Sequence, residues 1–292
     1  MNDISPIINH ATCMRCCRCV MICPMHHLEF IGVKIELSKD SFRTCLKCGH
    51  CMSVCPTRSV VALGYDYSDF TDLPDTPPDS DAVLRVLKAR RSMRHFQDKL
   101  IDPELIEKII DAASTAPFGV PPTPVELAVV NGRQKIEELL SEIMIVYEGW
   151  IRTFGNPIMR GFFILTGMGK MLKFLVEFII PSVKEILKGR SEGRDLLTYG
   201  APAMIVFHSE ASQGPDNCII AMTVAMIAAE SYGLGTCIIG MIPPAIERSR
   251  KLREMLKIPK GNKIYGALLL GWPKATFNRS IPRKFKSVTR IN

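Results

Sequence analysis

The sequence predicts an α+β protein of two folded bodies: a small cysteine-rich one, then a larger three-layer body of helices around a sheet. Three observations carry this. Nine of the eleven cysteines lie between Cys13 and Cys55, with only Cys218 and Cys237 outside that stretch. Residues 64–81, GYDYSDFTDLPDTPPDSD, hold six Asp, three Pro and no Lys or Arg, a composition that reads as an extended linker. After it, segments with helical and strand patterning alternate to the end of the chain. The expected organisation is therefore 1–63, a linker over 64–81, and 82–292.

In the larger body, Asp81 is placed to cap a helix AVLRVLKAR that runs into Arg90-Arg91-Ser92. Asp102-Pro103 opens a second helix, with Leu105, Ile106, Ile109, Ile110 and Ala113 on one face. VELAVV (125–130) and AMIVFH (203–208) pattern as strands. Asp216 opens an almost wholly apolar helix ending before Gly233, a pattern that predicts burial on all sides. A helix near 244–257 and a strand Ile264–Leu270 close the body. Periodicity alone leaves α+β and α/β both open.

Composition narrows the function classes. With 292 residues, 47% hydrophobic and 23% charged, the chain can bury a substantial core and is not a disordered protein. Asp3 stands where a secretory signal would be basic, and no apolar stretch follows it. The longest clean apolar run, Asn217–Ala229, falls short of the roughly 20 residues a membrane span needs. The oily stretch 157–187 is interrupted by Arg160, Lys170, Lys173, Glu177 and Lys184. A cytoplasmic protein without a membrane partner is expected, and clustered cysteines in that setting point to metal ligation rather than disulfides.

The cysteines fall into two identical runs. Cys13, Cys16, Cys19 and Cys23-Pro24 have the spacing C-x2-C-x2-C-x3-C-P, and Cys45, Cys48, Cys51 and Cys55-Pro56 repeat it. Zinc also takes four thiolates, but zinc modules bring separated CxxC pairs together and leave a third cysteine at this interval without a role. Cys17 is a spare thiol, read as a packed residue. The runs resemble bacterial two-cluster ferredoxins over residues 1–63. That resemblance implies two [4Fe–4S] clusters, the fourth cysteine of each run opening the next helix and crossing to the other cluster. The expected ligand sets are Cys13, Cys16, Cys19 and Cys55 for one, and Cys45, Cys48, Cys51 and Cys23 for the other.

Arg90-Arg91-Ser92-Met93-Arg94-His95-Phe96 gathers guanidinium groups suited to phosphate, although a solvated basic helix end has the same composition. Four further segments follow: Ala116-Pro117-Phe118-Gly119, Gly200-Ala201-Pro202-Ala203, Gly233-Leu234-Gly235-Thr236-Cys237-Ile238-Ile239-Gly240, and Gly271-Trp272-Pro273 with Pro282-Arg283-Lys284. Taken in this order they resemble the FMN-dependent nitroreductase family across residues 82–292. The resemblance implies a three-layer α/β/α FMN domain and a homodimer with two flavin sites. It implies that Arg90, Arg91, Ser92 and Arg94 hold the FMN phosphate and ribityl chain, with Arg283 and Lys284 as a second phosphate arm. Ile239, Gly240 and Met241 would lie against the flavin ring, and Pro117, Phe118 and Gly119 would border it. One departure from the family is visible: Phe118 and Pro121 stand where it commonly has polar Ser and Asn contacts. The segment 162–180, where the family varies, could shape the pocket, cover a substrate or pack on a second subunit. His208 and His26-His27 have no motif around them.

Bound clusters and flavin phosphate would lower the formal charge of +8 to about +2, so a nucleic-acid partner is not expected. The leading expectation is an oxidoreductase in which the clusters pass electrons to FMN for two-electron reduction of a small organic acceptor, such as a nitroaromatic or quinone. Its electron donor would be a protein such as ferredoxin, or NAD(P)H. Two alternatives stand beside it: NAD(P)H reduces the flavin and electrons leave through the clusters, or the chain is a non-catalytic redox carrier or sensor. No catalytic side chain is assigned.

Overall fold

The computed structural model describes residues 6–38, 45–62, 64–119 and 124–291. Two compact units emerge, Met1–Pro78 with Phe118–Thr123, and Asp79–Pro117 with Pro124–Asn292.

The first unit runs β1 (Ile7–Ile8), α1 (Arg18–Ile22), β2 (Leu28–Ile31), β3 (Lys34–Leu37), α2 (His50–Ser53) and β4 (Val60–Val61). β1 and β4 pair antiparallel, and β2 and β3 form a hairpin whose two-residue turn starts at Gly32, with φ at +60°. The repeat seen in the sequence is kept in the backbone. Arg15 and Cys17 in the first run, and Lys47 and Gly49 in the second, take left-handed φ between +54° and +71°. The core is small: Leu28, Ile35, Met52, Val60 and Ala62, with Cys51. Cys23 caps the C-terminus of α1 and Cys55 follows the C-cap of α2, so the fourth cysteines end helices rather than open them. The proline after each explains this, because the residue before a proline is pushed out of helical geometry.

The expected linker departs from its reading as well. Tyr65, Tyr67 and Phe70 pack on the core of the first unit, where Tyr65 Oη donates to the Lys47 carbonyl (2.9 Å) and Tyr67 Oη to that of Val60 (2.8 Å). Aromatic packing outweighs the acidic composition there, and the continuously exposed stretch begins only at residue 71.

The second unit runs α3 (Ser80–Ala89), α4 (Pro103–Ser114), β5 (Glu126–Asn131), α5 (Arg133–Gly155), α6 (Pro157–Leu165), α7 (Gly169–Phe174), a π turn (Leu175–Ile179), α8 (Ile180–Ser191), β6 (Ala203–Glu210), α9 (Asp216–Ser231), β7 (Gly235–Ile238), α10 (Ile242–Arg248), α11 (Arg250–Met255) and β8 (Asn262–Gly271). Its sheet has the order β5-β6-β8-β7, antiparallel at every pairing, which decides for α+β. β6, β7 and β8 are buried along most of their length on both faces, whereas the edge strand β5 is exposed on one. Val130, Met204, Val206, Ala267 and Leu269 join a core with α5, α8, α10 and α11. On the other face Gly266 lies so close to Met222 of α9 that a Cβ there would sit 2.5 Å from its sulfur.

Three local expectations are corrected. Asp79, not Asp81, caps α3, because its carboxylate accepts from the Asp81 amide (2.9 Å). The helix expected near 244–257 is two helices, since Ser249 is extended and caps α11 through the Leu252 amide (3.2 Å). α9 leaves Ile219 and Thr223 exposed, so it is not covered all round. Among the described residues no helix is long and apolar enough to cross a membrane.

Asp195, between α8 and β6, pins a strained turn. Its carboxylate accepts from the amides of Leu197 (3.1 Å), Thr198 (2.8 Å) and Gly200 (2.9 Å), from the Thr198 hydroxyl, and from Arg133 Nη2 (2.9 Å). Tyr199 inside that turn has φ at +55°, a conformation costing a bulky residue about 1–2 kcal/mol. Charge-assisted bonds contribute about 1.5–3 kcal/mol each, so the cluster outweighs the strain. Burial alone would raise the Asp195 carboxyl, but the donors from Thr198, Gly200 and Arg133 hold it below its ordinary value. Its stabilising effect is therefore complete above pH about 4 and is lost as pH falls through the depressed folded value. Asp195→Ala should destabilise the protein at neutral pH by roughly 3–5 kcal/mol in denaturant unfolding. Asp195→Asn should lose stability less steeply below pH about 4 than the wild type does.

Candidate functional site

Two kinds of site are built, one in each unit. In the first, the chain gathers the cysteines around two cavities. Cys13, Cys16, Cys19 and Cys55 line one, together with Cys17, and Cys23, Cys45, Cys48 and Cys51 line the other. Each set thus takes three cysteines from one run and the fourth from the other. Left-handed residues at Arg15 and Cys17, and at Lys47 and Gly49, recur at the same places in the two runs and turn the chain around each cavity. Amides already approach several sulfurs: His27 N–H donates to Cys23 Sγ (3.3 Å), Lys47 N–H to Cys45 Sγ (3.4 Å) and Ser59 N–H to Cys55 Sγ (3.2 Å). Burial would raise the Cys55 thiol, yet donors from Ser59 and Thr57 bring it below its ordinary value; burial pushes Cys51 up to about 11. His27 lines the second cavity with its buried Nε2 unpartnered. Among the described residues no three His, Cys, Asp or Glu converge closely enough to hold a single metal ion.

In the second unit a cavity of about 560 Å³ lies at the β7 end of the sheet. Arg94, Leu196, Leu197, Tyr199, Cys237 and the Ile239-Gly240-Met241 loop form much of its wall. The loop is held by Ile239 N–H donating to the Ala267 carbonyl (2.9 Å) and by Tyr147 Oη donating to the Met241 carbonyl (3.2 Å). Residues 91–94 are extended against β7, with Met93 N–H donating to the Thr236 carbonyl (2.8 Å). Extended backbone alternates its side chains, so Arg91 and Met93 are buried while Ser92 and Arg94 are not. The Arg94 guanidinium stands 6.0 Å from the Tyr199 ring centroid. Burial raises the Cys237 thiol, against the opposing charge of Arg94 and hydrogen bonds from Ser92 and Arg94. A second, more apolar cavity of about 450 Å³ shares Gly240 and Met241 with the first.

Of the residues expected around a flavin, the structure brings Arg94, Ile239, Gly240 and Met241 to one cavity, with Ser92 beside it at Cys237. Arg91 is directed away by the strand alternation and lines a different cavity with Glu230, its Nε and Nη2 buried without partners. Arg90 donates to the Met226 sulfur (3.4 Å). Phe118 and Gly119 group with the first unit, Pro117 is exposed, and none of the three lines the large cavity. The departure expected around Val120, Pro121, Pro122 and Thr123 lies outside the described residues. Arg283 and Lys284 are exposed in a terminal stretch without regular structure. His208 is buried beside Asn262 Nδ2 (2.9 Å from Nδ1), a packing role.

Sequence reasoning missed Tyr199, the Asp195 cluster and the aromatic lining of the second cavity. The Asp195-x-x-Thr198 pattern ahead of Gly200 was the available signal for the first two, as a turn closed by an aspartate. Nothing in the sequence joined Trp150 and Phe154 of α5 to Phe174 and Ile179, because that proximity exists only after folding.

The nitroreductase family model matches residues 87–272. A Methanothermobacter thermautotrophicus protein, provisionally named NADH dehydrogenase/NAD(P)H nitroreductase, is 27% identical over 191 residues, 65% of this chain and 77% of that protein. The FMN reductase [NAD(P)H] of Bacillus subtilis is 26% identical over 194 residues, 65% of this chain and 66% of that protein. Among solved structures, the FMN-bound nitroreductase of Desulfitobacterium hafniense superposes with a TM-score of 0.54 at 24% identity, covering 72% of this chain and 98% of that one. The FMN-bound nitroreductase of Bacteroides fragilis gives 0.52 at 21%, with the same coverage. These two share the α+β fold of the second unit. With its sheet, its Arg94 cavity and a family match over most of its length, the chain belongs to the nitroreductase family and is an oxidoreductase.

Proposed function

We propose that this chain is an FMN-dependent oxidoreductase whose first unit carries two [4Fe–4S] clusters that exchange electrons with the flavin, for reduction of a small organic acceptor such as a nitroaromatic or quinone. One observation carries the cluster half: Cys55 joins the first cysteine run and Cys23 the second around separate cavities. Four thiolates spread around a cavity suit a cubane, in which each binds a different iron, better than a single ion. Clusters supply one-electron transfer, and FMN, when bound, couples one-electron to two-electron chemistry.

The residues of the chain would bind and orient. Arg94 and Ser92 would take the flavin phosphate and ribityl chain, Arg94 having no carboxylate partner among the described residues. Ile239, Gly240 and Met241 would offer backbone groups to the ring, held by Tyr147 and Ala267. A cavity of about 560 Å³ lies within the range of cofactor sites. Arg283 and Lys284 would complete the phosphate grip on a second copy in a homodimer. The terminal stretch carrying them also exposes Phe277, Ile281, Phe285 and Val288, apolar groups that a partner subunit would cover. The proposed domains are 1–63 extended through Phe70, a linker over the rest of 64–81, and 82–292.

A second reading has NAD(P)H reduce the flavin, with electrons leaving through the clusters. The nicotinamide-dependent names of the relatives favour it as to donor.

Anaerobically purified protein should contain about eight irons per chain. Cys45→Ser should remove about half of the iron and leave flavin bound, and stoichiometric zinc with little iron would end the cluster reading. At the flavin site, Arg94→Ala and Arg283→Ala should each weaken FMN binding by about one to two decades. Arg91→Ala should leave FMN affinity within a few-fold of wild type. Equal affinity of all three variants in equilibrium titration would put the flavin elsewhere.

A further inference from the structure

The two cysteine runs are alike in sequence but not in cover. Over the second run, Tyr65 Oη donates to the Lys47 carbonyl (2.9 Å), and a Cβ at Gly49 would stand 3.4 Å from the Phe70 ring. Cys51 there is buried, and Cys45 and Cys48 are half-buried. The first run lies open. Cys16 is the one exposed cysteine of the eleven, and Met14 and Met21 beside it are 60% and 81% exposed. Arg15 and Arg18 are exposed in the same stretch, and neither is in an ion pair among the described residues. Met14 and Arg18 line the first cavity, and no carboxylate does. Arg18 and Met21, three residues apart, share a face of α1.

We propose that Met14, Arg15, Arg18 and Met21 form the docking surface for an acidic one-electron carrier protein, which delivers its electron at the first cysteine set rather than the second. The proposal rests on the cluster reading for what takes up that electron. The partner's reduced centre loses one electron, the first set's centre gains it, and no bond or proton changes hands. Exposed methionines supply adaptable apolar contact, and unpaired cations at the same place attract and orient a partner of opposite charge. A surface of four residues suits the small interfaces of transient redox encounters. A second copy of this chain meeting the same face would bring arginines toward arginines, which disfavours it as the occupant.

The test is calorimetric titration of the full-length holoprotein with an oxidised, acidic plant-type [2Fe–2S] ferredoxin at low salt, which reads docking without turnover. Arg15→Glu/Arg18→Glu should weaken binding at least ten-fold. Lys260→Glu/Lys263→Glu makes the same change of net charge at exposed positions of the second unit and should stay within two-fold of wild type. Met21→Glu, outside the loop that holds the first three cysteines, should weaken binding about five-fold. Raising the salt from about 0.05 to about 0.3 M should bring wild type and the arginine variant together. Absence of binding by wild type, or equal losses in the two double variants, would overturn the proposal. Self-association of wild type that the arginine variant abolishes would also overturn it, by giving the face to a second copy. Iron analysis of the same samples separates the readings. Protein with about eight irons whose ferredoxin binding ignores Arg15 and Arg18 sinks only this inference. Iron-free protein that keeps arginine-dependent binding sinks only the clusters.

Discussion

The antiparallel pairing of β6 with β8 is the constraint on which the second unit depends. Both strands are buried along almost their whole length, so each must meet helices on two faces, and every other element is placed by that need. β8 also carries β7 on its other edge, and β7 in turn aligns residues 91–94. Arg94 and the Ile239-Gly240-Met241 loop therefore reach one cavity because they lie at the same end of this pairing. Close approaches at Gly266 and Gly271 show how little slack the arrangement leaves: a Cβ at Gly271 would stand 2.6 Å from Phe96. The site's geometry is inherited from this closely packed part of the sheet, while the polar hub at Asp195 holds Leu196, Leu197 and Tyr199 of the facing wall.

The first unit is governed by the opposite condition. Its core of a few apolar residues is too small to hold such a chain strongly through burial alone. Short helices without side-chain caps and repeated left-handed residues are features that need another source of stability. In the proposed reading, exchange of the fourth cysteine between runs would tie the two halves through the clusters and make cluster assembly part of folding. Loss of one ligand would then be felt in both halves.

Legibility from sequence followed the range of the physics. The cysteine sets, the strands near 125–130 and 203–208 and the Asp102-Pro103 helix start were readable, because spacing, alternation and capping are local. The basic run at 90–94 was legible as one group but is divided in the structure: strand alternation sends Arg91 away from Ser92 and Arg94, and a helix-end reading could not show that. The linker was misread from residue 64 because its acidic composition hid Tyr65, Tyr67 and Phe70, which find their partners across the cysteine unit. The break at Ser249 and the aromatic cavity were invisible for a related reason. Each depends on contacts between elements far apart in the chain.

The central claim of the account is that the cysteine-bound unit is the entry port for electrons to the flavin. The most direct measurement is anaerobic rapid mixing of the full-length holoprotein with reduced low-potential ferredoxin, following loss of flavin absorbance. The account predicts fast reduction in wild type and a rate at least ten-fold lower when Cys13 and Cys45 are both replaced by Ser, with NAD(P)H-driven flavin reduction retained. Equal rates with ferredoxin in the two proteins would contradict it.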